Sequence, residues 1–492
     1  MKQLGWPGEA LRRLARVVTV ACVLAGVATA GAARQVRCVA GKGDYAVVVS
    51  RATYDAGPWR QVVEALRAKH QASVIVYPYS VWEARAALVD VFPRYACFVA
   101  RPTEAGRRFV VNVHRMTRTL DADPYTDVLW GIVTGYEAKD ALRIATHSEP
   151  LVVRKGAAGT GLDLGVFDAG RVFSEGEKGA MWEKVPGGKA VKKAVPQDTT
   201  KLLVETFNTF HPDLFVTSGH ATPRDWQIGY SYKNGQFRCK GGQLFGLDLK
   251  KRVHPIHSPN PKVYLPAGNC LMGHIPDREC MALAFMRTGG VMQMYGYTVL
   301  TWFGYGGWGV RDLFVAQPGR YTLAEAFYAN GQCLIHRLET RFPKKARVNF
   351  ENYDLYHDRK LLGKLAAKHG VRGKEALGLL WDRDTVAFYG DPAWEARVAP
   401  RPLAWTQRLT AKGGVYTFEV VADRDTGRPR PPVALLPHRV ANVEFLEGGE
   451  LSPVVTDNFV LLPKPAKFEK GKSYKVVFRA TRCAARSSET RQ

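Results

Sequence analysis

The stretch Lys262–Gly273, KVYLPAGNCLMG, decides how this chain is read. Val263, Tyr264 and Leu265 form a short apolar run that Pro266-Ala267-Gly268 breaks, so Cys270 is expected just beyond a buried strand, on a turn of small residues. Upstream, Asp213-Leu214-Phe215-Val216-Thr217 has the same design, and Ser218-Gly219-His220 follows at its end. In an open α/β sheet, sites form beyond the carboxyl ends of the strands. If the two strands are parallel neighbours, His220 and Cys270 emerge on one edge, the histidine 50 residues ahead of the thiol. A cysteine and a histidine so placed are the residue types of nucleophilic catalysis.

The chain around this stretch reads as a sheet of that kind. Asp44–Ser50 and Ala72–Tyr77 read as strands and Trp59–His70 as a helix, and strand–helix–strand at this spacing requires parallel strands. Trp82–Val91 and Tyr136–Ala145 are expected helices, and Ala96–Ala100 and Val128–Val133 further strands, giving a first α/β subdomain over 40–150. The run Gly156-Ala157-Ala158-Gly159-Thr160-Gly161 lacks the context of a phosphate loop and is expected to be a flexible loop. A second α/β subdomain over 151–398 holds both strands of the proposed pair. It adds expected helices at Lys201–Phe210, Arg278–Arg287 and Tyr321–Arg337, a strand at Val291–Tyr297 and an aromatic loop over the glycine-rich 304–309. Beyond the linker Pro400-Arg401-Pro402, short strands at Val415–Val421, Val443–Leu446, Phe459–Leu462 and Ser473–Arg479 alternate with turn residues, the spacing of a β-sandwich over 403–485.

At 492 residues two or three domains are expected, and 46% hydrophobic with 23% charged residues is ordinary for globular protein. The formal charge of +25 attracts polyanions, but no dense Lys/Arg run or nucleic-acid motif accompanies it, so no specific nucleic-acid partner is expected. Arg12, Arg13 and Arg16, the apolar run from Val17 to about Ala28 and the small residues after it predict a secretory signal peptide over 1–33. Its apolar run is too short to span a bilayer comfortably, and no other stretch is long enough. The protein is therefore expected to be exported, to the periplasm or the extracellular space. Without Cys22, seven cysteines remain, and in an oxidising compartment an odd number leaves one unpaired. Cys270 is the expected free thiol; Cys280 and Cys333 are expected in the core or in disulfides.

Several motifs resemble the gingipain-type cysteine peptidases, the family that shares the caspase and legumain core fold. Thr217-Ser218-Gly219-His220 followed by Trp226 resembles the family's Thr-Gly-His-Gly…Trp segment. Asn269-Cys270-Leu271-Met272-Gly273 resembles its Cys-x-x-Gly nucleophile turn, and Gly390-Asp391-Pro392 its Gly-Asp-Pro segment. The resemblance runs over roughly 44–398. It implies a caspase-like parallel-sheet core in two lobes, followed by an immunoglobulin-like C-terminal domain. It also implies a substrate pocket walled by an aromatic residue at Trp302, with Phe303 and Trp226 nearby. The family's glycine after the histidine is Ala221 here, and Asp163 and Asp168 lie in the region of the acids that orient the histidine and set specificity.

A thiol of ordinary pKa, about 8.5, is only a few per cent thiolate at neutral pH, and a nearby imidazolium lowers it. His220 would promote the Cys270 thiolate and later protonate the leaving amine of a polypeptide substrate, with the backbone N–H groups of Cys270 and Ala221 as oxyanion donors. This chemistry needs no cofactor and no metal. Two other readings use the same residues: an inactive relative that binds ligands in the groove, and a zinc protein holding its ion with His254, His257, Cys270 and His274.

Overall fold

The structure, a computed structural model, describes residues 36–39, 44–351, 353, 357–427 and 430–483; the expected signal peptide lies outside them. Thirteen strands form one continuous, mostly parallel sheet. Its first half runs Arg37–Val39, Ser73–Tyr77, Tyr45–Ser50, Tyr95–Val99 and Leu129–Val133. Its second half runs Val386–Tyr389, Val291–Tyr297, Lys262–Pro266, Leu214–Thr217, Lys155–Ala158, Ala169–Phe173, Ala180–Lys184 and Val191–Ala194. The two expected lobes are thus halves of a single sheet, joined where Val386–Tyr389 pairs parallel to Leu129–Val133 and antiparallel to Val291–Tyr297. Strands covered on both faces have no polar side, and Tyr45–Ser50, Lys262–Pro266 and Val291–Tyr297 are buried at every position.

Two segments differ from their sequence reading. Lys155–Ala158 is a central strand, parallel to Leu214–Thr217 on one side and Ala169–Phe173 on the other, and not a flexible loop. Small residues suit it because the Phe167 ring packs on Gly156, 3.0 Å from where a β-carbon would stand. The glycine-rich 304–309 begins the helix Tyr305–Phe314. Its glycines serve close approach: a β-carbon on Gly307 would lie 2.1 Å from the Ala267 carbonyl oxygen, so only glycine lets this helix seat on the end of the Cys270 strand. The helix Arg107–Met116, with its buried valines, had no counterpart in the sequence reading.

The C-terminal part has its own core. A four-stranded antiparallel sheet (Trp405–Lys412, Val415–Ala422, Ser473–Arg482, Val440–Glu447) is accompanied by a three-stranded one (Val433–Leu435, Phe459–Leu461, Val454–Val455). Tyr416, Phe418, Val420 and Ala422 alternate inward and cluster with Val476, Phe478, Val460 and Leu462, as a sandwich requires. Val433, Phe459 and Leu461 face the other way and join the core of the large sheet. Arg439 adds to this seam, donating to the carbonyls of Phe92, Pro93 and Asp127.

Asp391 ties the last core strand back to the first α/β unit. Its buried carboxylate accepts from Tyr45 Oη at 2.8 Å and Lys69 Nζ at 3.0 Å, and pairs with His70 Nε2 at 2.8 Å. Burial opposes its ionisation, but the His70 bond and the charges of His70 and Lys69 prevail and bring the carboxyl down to about 2. A carboxyl depressed in the folded state contributes stability above its ordinary pKa and loses it as pH falls through the folded value. Asp391→Asn should therefore cost about 2 kcal/mol at pH 7, at ~1.4 kcal/mol per pKa unit, and progressively less as pH drops from 4 toward 2. Urea unfolding at pH 7 and pH 3 checks this; an equal deficit at both would rule out the ion network as its source.

Candidate active site

The strands Leu214–Thr217 and Lys262–Pro266 are parallel neighbours, registered Leu214 to Val263 and Thr217 to Pro266. His220 follows the first by three residues and Cys270 the second by four, so the two turns leave the same edge of the sheet. Lys262 fixes the start of the Cys270 strand from a fully buried position. Its ammonium donates to the carbonyls of Ser258 and Asn260 at 2.8 Å and of Gly289 at 2.5 Å.

Asn269 couples the two turns. Its Nδ2 donates to the Gly219 carbonyl at 3.0 Å, and its Oδ1 accepts from the Thr217 hydroxyl at 2.6 Å. The Thr217 hydroxyl in turn lies 2.9 Å from that of Tyr264. One fully buried amide side chain therefore spans from the residue before Cys270 to the residue before His220. A buried amide with both ends satisfied is a rigid link, because leaving either partner unpaired is costly.

The thiol turn is clamped by the chain that follows Val291–Tyr297. Thr301 donates its hydroxyl to the Asn269 carbonyl at 2.8 Å and its backbone N–H to Cys270 Sγ at 3.3 Å. Leu271 N–H bonds the Val299 carbonyl and Gly273 N–H that of Tyr297. These bonds hold Leu271 at φ 59°, a left-handed conformation that costs a leucine about 1–2 kcal/mol and persists only where the surroundings impose it. Half-buried, Cys270 directs its own N–H to no acceptor among the described residues.

In the histidine turn every carbonyl is occupied. Ser218 accepts from Trp226 Nε1 at 2.8 Å, Gly219 from Asn269, and His220 from the Gln227 N–H at 3.0 Å. Gly219, at φ 91°, takes the left-handed position; Ala221 lies in an extended bridge opposite Trp226. A trans peptide points its N–H opposite its carbonyl, so with His220 C=O turned into the hairpin the Ala221 N–H points out of it. The exposed His220 ring stacks on Tyr230, centroids 5.1 Å apart and 22° between planes.

Not all expected residues converge here. Trp226 is a correction: it is fully buried against Phe215, Phe237 and Gly159, and acts by fixing the Ser218 carbonyl instead of walling a pocket. Trp302 and Phe303 are half-buried directly after Thr301. The Trp302 indole N–H has no hydrogen-bond partner among the described residues, while Phe303 turns toward Tyr305 and Gly378. Asp163 caps a turn through Gly165 N–H, and Asp168 pairs with Arg154 and Arg401, so both acids are engaged away from His220. The zinc set does not assemble. His254 pairs with Asp248 at 3.1 Å, and among the described residues the one group of three metal-type side chains that converges is Asp121, Asp123 and Asp127.

All seven described cysteines are unbridged. Cys280 and Cys333 are buried, and burial pushes the thiols of Cys239 and Cys280 up to about 12. The sequence places Asn269 in the thiol-turn motif but shows neither its bridging role nor that of Thr301, because nothing there distinguishes a bridging amide or hydroxyl from any other. No helix of the described residues is long and apolar enough to cross a membrane.

No family model matches this chain, and no curated protein matches it. Among solved structures it is similar to the Arg-specific cysteine proteinase gingipain R (RgpB), at 11% identity over 89% of this chain and 98% of that one, with a TM-score of 0.36. It is also similar to the complex of Porphyromonas gingivalis RgpB pro- and mature domains, at 11% identity over 91% and 95%, TM-score 0.39. A third similar structure is described as a protease, at 8% identity over 89% and 97%, TM-score 0.39.

Proposed function

We propose that this chain is an exported cysteine endopeptidase in which Cys270 is the nucleophile and His220 the general acid and base. The observation that carries the reading is the Asn269 link, which joins the thiol turn and the imidazole turn at one sheet edge. The Thr301 N–H, 3.3 Å from Sγ, holds the sulfur in place on its turn. The thiolate attacks the substrate carbonyl carbon, and the N–H groups of Cys270 and Ala221 receive the oxyanion. His220 then protonates the amine as the C–N bond breaks, leaving a thioester. Water, deprotonated by His220, attacks the thioester and returns the thiol. Trp302, with its unengaged indole N–H, walls the substrate side of the turn.

Labelling with iodoacetamide-type and peptidyl acyloxymethylketone probes, followed by peptide mapping, tests this reading. Modification should fall on Cys270 first and on the buried Cys280 and Cys333 last. A Cys270 that resists both probes in the folded protein would exclude it as the nucleophile.

Ala221 should not impair the enzyme. The left-handed demand of this turn falls on Gly219, so Ala221→Gly relieves no strain and should change hydrolysis of fluorescein-labelled casein by less than about threefold. A rise of about a hundredfold or more, the worth of one oxyanion donor, would mean that the alanine distorts the hole.

A further inference from the structure

A groove of about 470 Å³ opens between the loop after Lys155–Ala158, the chain after Tyr305–Phe314 and the linker into the β-sandwich. It lies one aromatic ring away from the thiol turn. Gly159 N–H bonds the Val216 carbonyl, so the loop leaves from beside the His220 strand. Two residues on, the Gly161 carbonyl accepts from Arg311 at 3.4 Å. The Arg311 guanidinium lies over the Trp308 ring at 4.4 Å, and that ring packs on Gly268, two residues before Cys270.

The lining is strongly basic. Arg311, Arg320, Arg401 and Arg424 face it, against one carboxylate, Asp163, which already accepts from Gly165 N–H. From outside the lining, Asp312 bonds Arg311 and Asp168 bonds Arg401. Arg320 and Arg424 have no carboxylate partner among the described residues. Arg320 is held by Gln317 Oε1 and the Trp405 carbonyl, both at 2.5 Å, and Arg424 is exposed on the sandwich. Two guanidinium groups without carboxylate partners in the lining of one cleft are a receptor for carboxylates, which they can engage through charge-assisted bonds.

We propose that this groove binds an acidic peptide segment, the Asp- or Glu-bearing part of a polypeptide lying across the Cys270 edge. Taking that polypeptide to be a substrate rests on the peptidase reading; the binding does not. The site also gives part of the +25 charge a defined partner.

The test uses the full chain carrying Cys270→Ala and a fluorescein-labelled decapeptide alternating Glu with Ala, compared with its Gln counterpart by fluorescence anisotropy at 0.15 M salt. The Glu peptide should bind at least tenfold more tightly. Arg320→Gln with Arg424→Gln should remove about tenfold of that affinity. Lys364→Gln with Lys368→Gln, the same charge change on the exposed face of the helix Arg359–Lys368, should change it less than twofold. Arg424→Gln alone, at an exposed position, keeps the test valid if the Arg320 change disturbs folding, and should remove about threefold. Equal losses for groove and control pairs, or equal binding of Glu and Gln peptides, would overturn the proposal. So would displacement of the peptide by heparin at lower concentration than by excess unlabelled Glu peptide. Binding as expected with no hydrolysis of casein by the parent protein would leave the groove standing and remove the peptidase reading. Hydrolysis without Glu-peptide binding would do the reverse.

Discussion

Cys270→Ala should lower hydrolysis of fluorescein-labelled casein by at least about 10⁴-fold while leaving the fold intact. A nucleophile cannot be replaced by its neighbours, because the thioester forms only on sulfur and no other described thiol shares this turn. The fold should tolerate the change. Cys270 is half-buried, its side chain accepts one N–H from Thr301, and the clamps on the turn run through the Asn269 carbonyl and the N–H groups of Leu271 and Gly273. His220→Gln should give a comparable loss but leave Cys270 open to alkylation. Unfolding curves that overlay the parent's, together with lost activity in both variants, form the expected result. Retention of activity by Cys270→Ala would end the proposal that this thiol is the nucleophile.

Asn269→Ala should be the most damaging change that touches neither the thiol nor the imidazole. It leaves the Gly219 carbonyl without its donor and the buried Thr217 hydroxyl with Tyr264 Oη as its remaining partner, which at about 1–3 kcal/mol per orphaned group lowers stability by about 2 kcal/mol. It also uncouples the two turns, and small misplacements of reacting groups cost on the order of 10²-fold in rate. Asn269 is a positioning residue, so alkylation of Cys270 should persist while casein hydrolysis falls by about 10²-fold. Asn269→Asp should rescue little, because a carboxylate oxygen would then face the Gly219 carbonyl where Nδ2 now donates. Parent-like hydrolysis by Asn269→Ala would show that the turns hold their places without it.

Where local pattern and tertiary environment agree, the fold is legible from the chain alone. Val291–Tyr297 is a strand with the bounds its largely apolar run suggests, because a strand covered on both faces is buried at every position. Val415–Ala422 alternates because one face of the sandwich is wet. Where one residue type serves two purposes, the pattern misleads. Glycines at 306, 307 and 309 look like a loop, yet they let a helix approach Ala267, Val386 and Asn330. Gly156 and Ala157 look like a loop, yet they lie in the middle of a sheet, opposite Gly170 and Arg171. Trp226 carries a motif, yet its side chain is core.

The sequence by itself determined that two apolar strands end in Ser-Gly-His and Gly-Asn-Cys, that α/β units precede and enclose them, and that a β-sandwich follows. Those are properties of short segments, set by hydrophobic period and turn residues that act over a few positions. That the two strands are neighbours was a condition the sequence posed; their pairing, residue for residue, comes from the sheet. Only the tertiary structure decided that Asn269 spans to Gly219, that Thr301 reaches Cys270 Sγ from 31 residues away, and that Leu271 is held left-handed. It also decided that Arg320 and Arg424, over a hundred residues apart in the chain, face one groove. These are contacts between segments distant in sequence. Their partners are chosen by which surfaces the packed sheet brings together, and no local pattern encodes that choice.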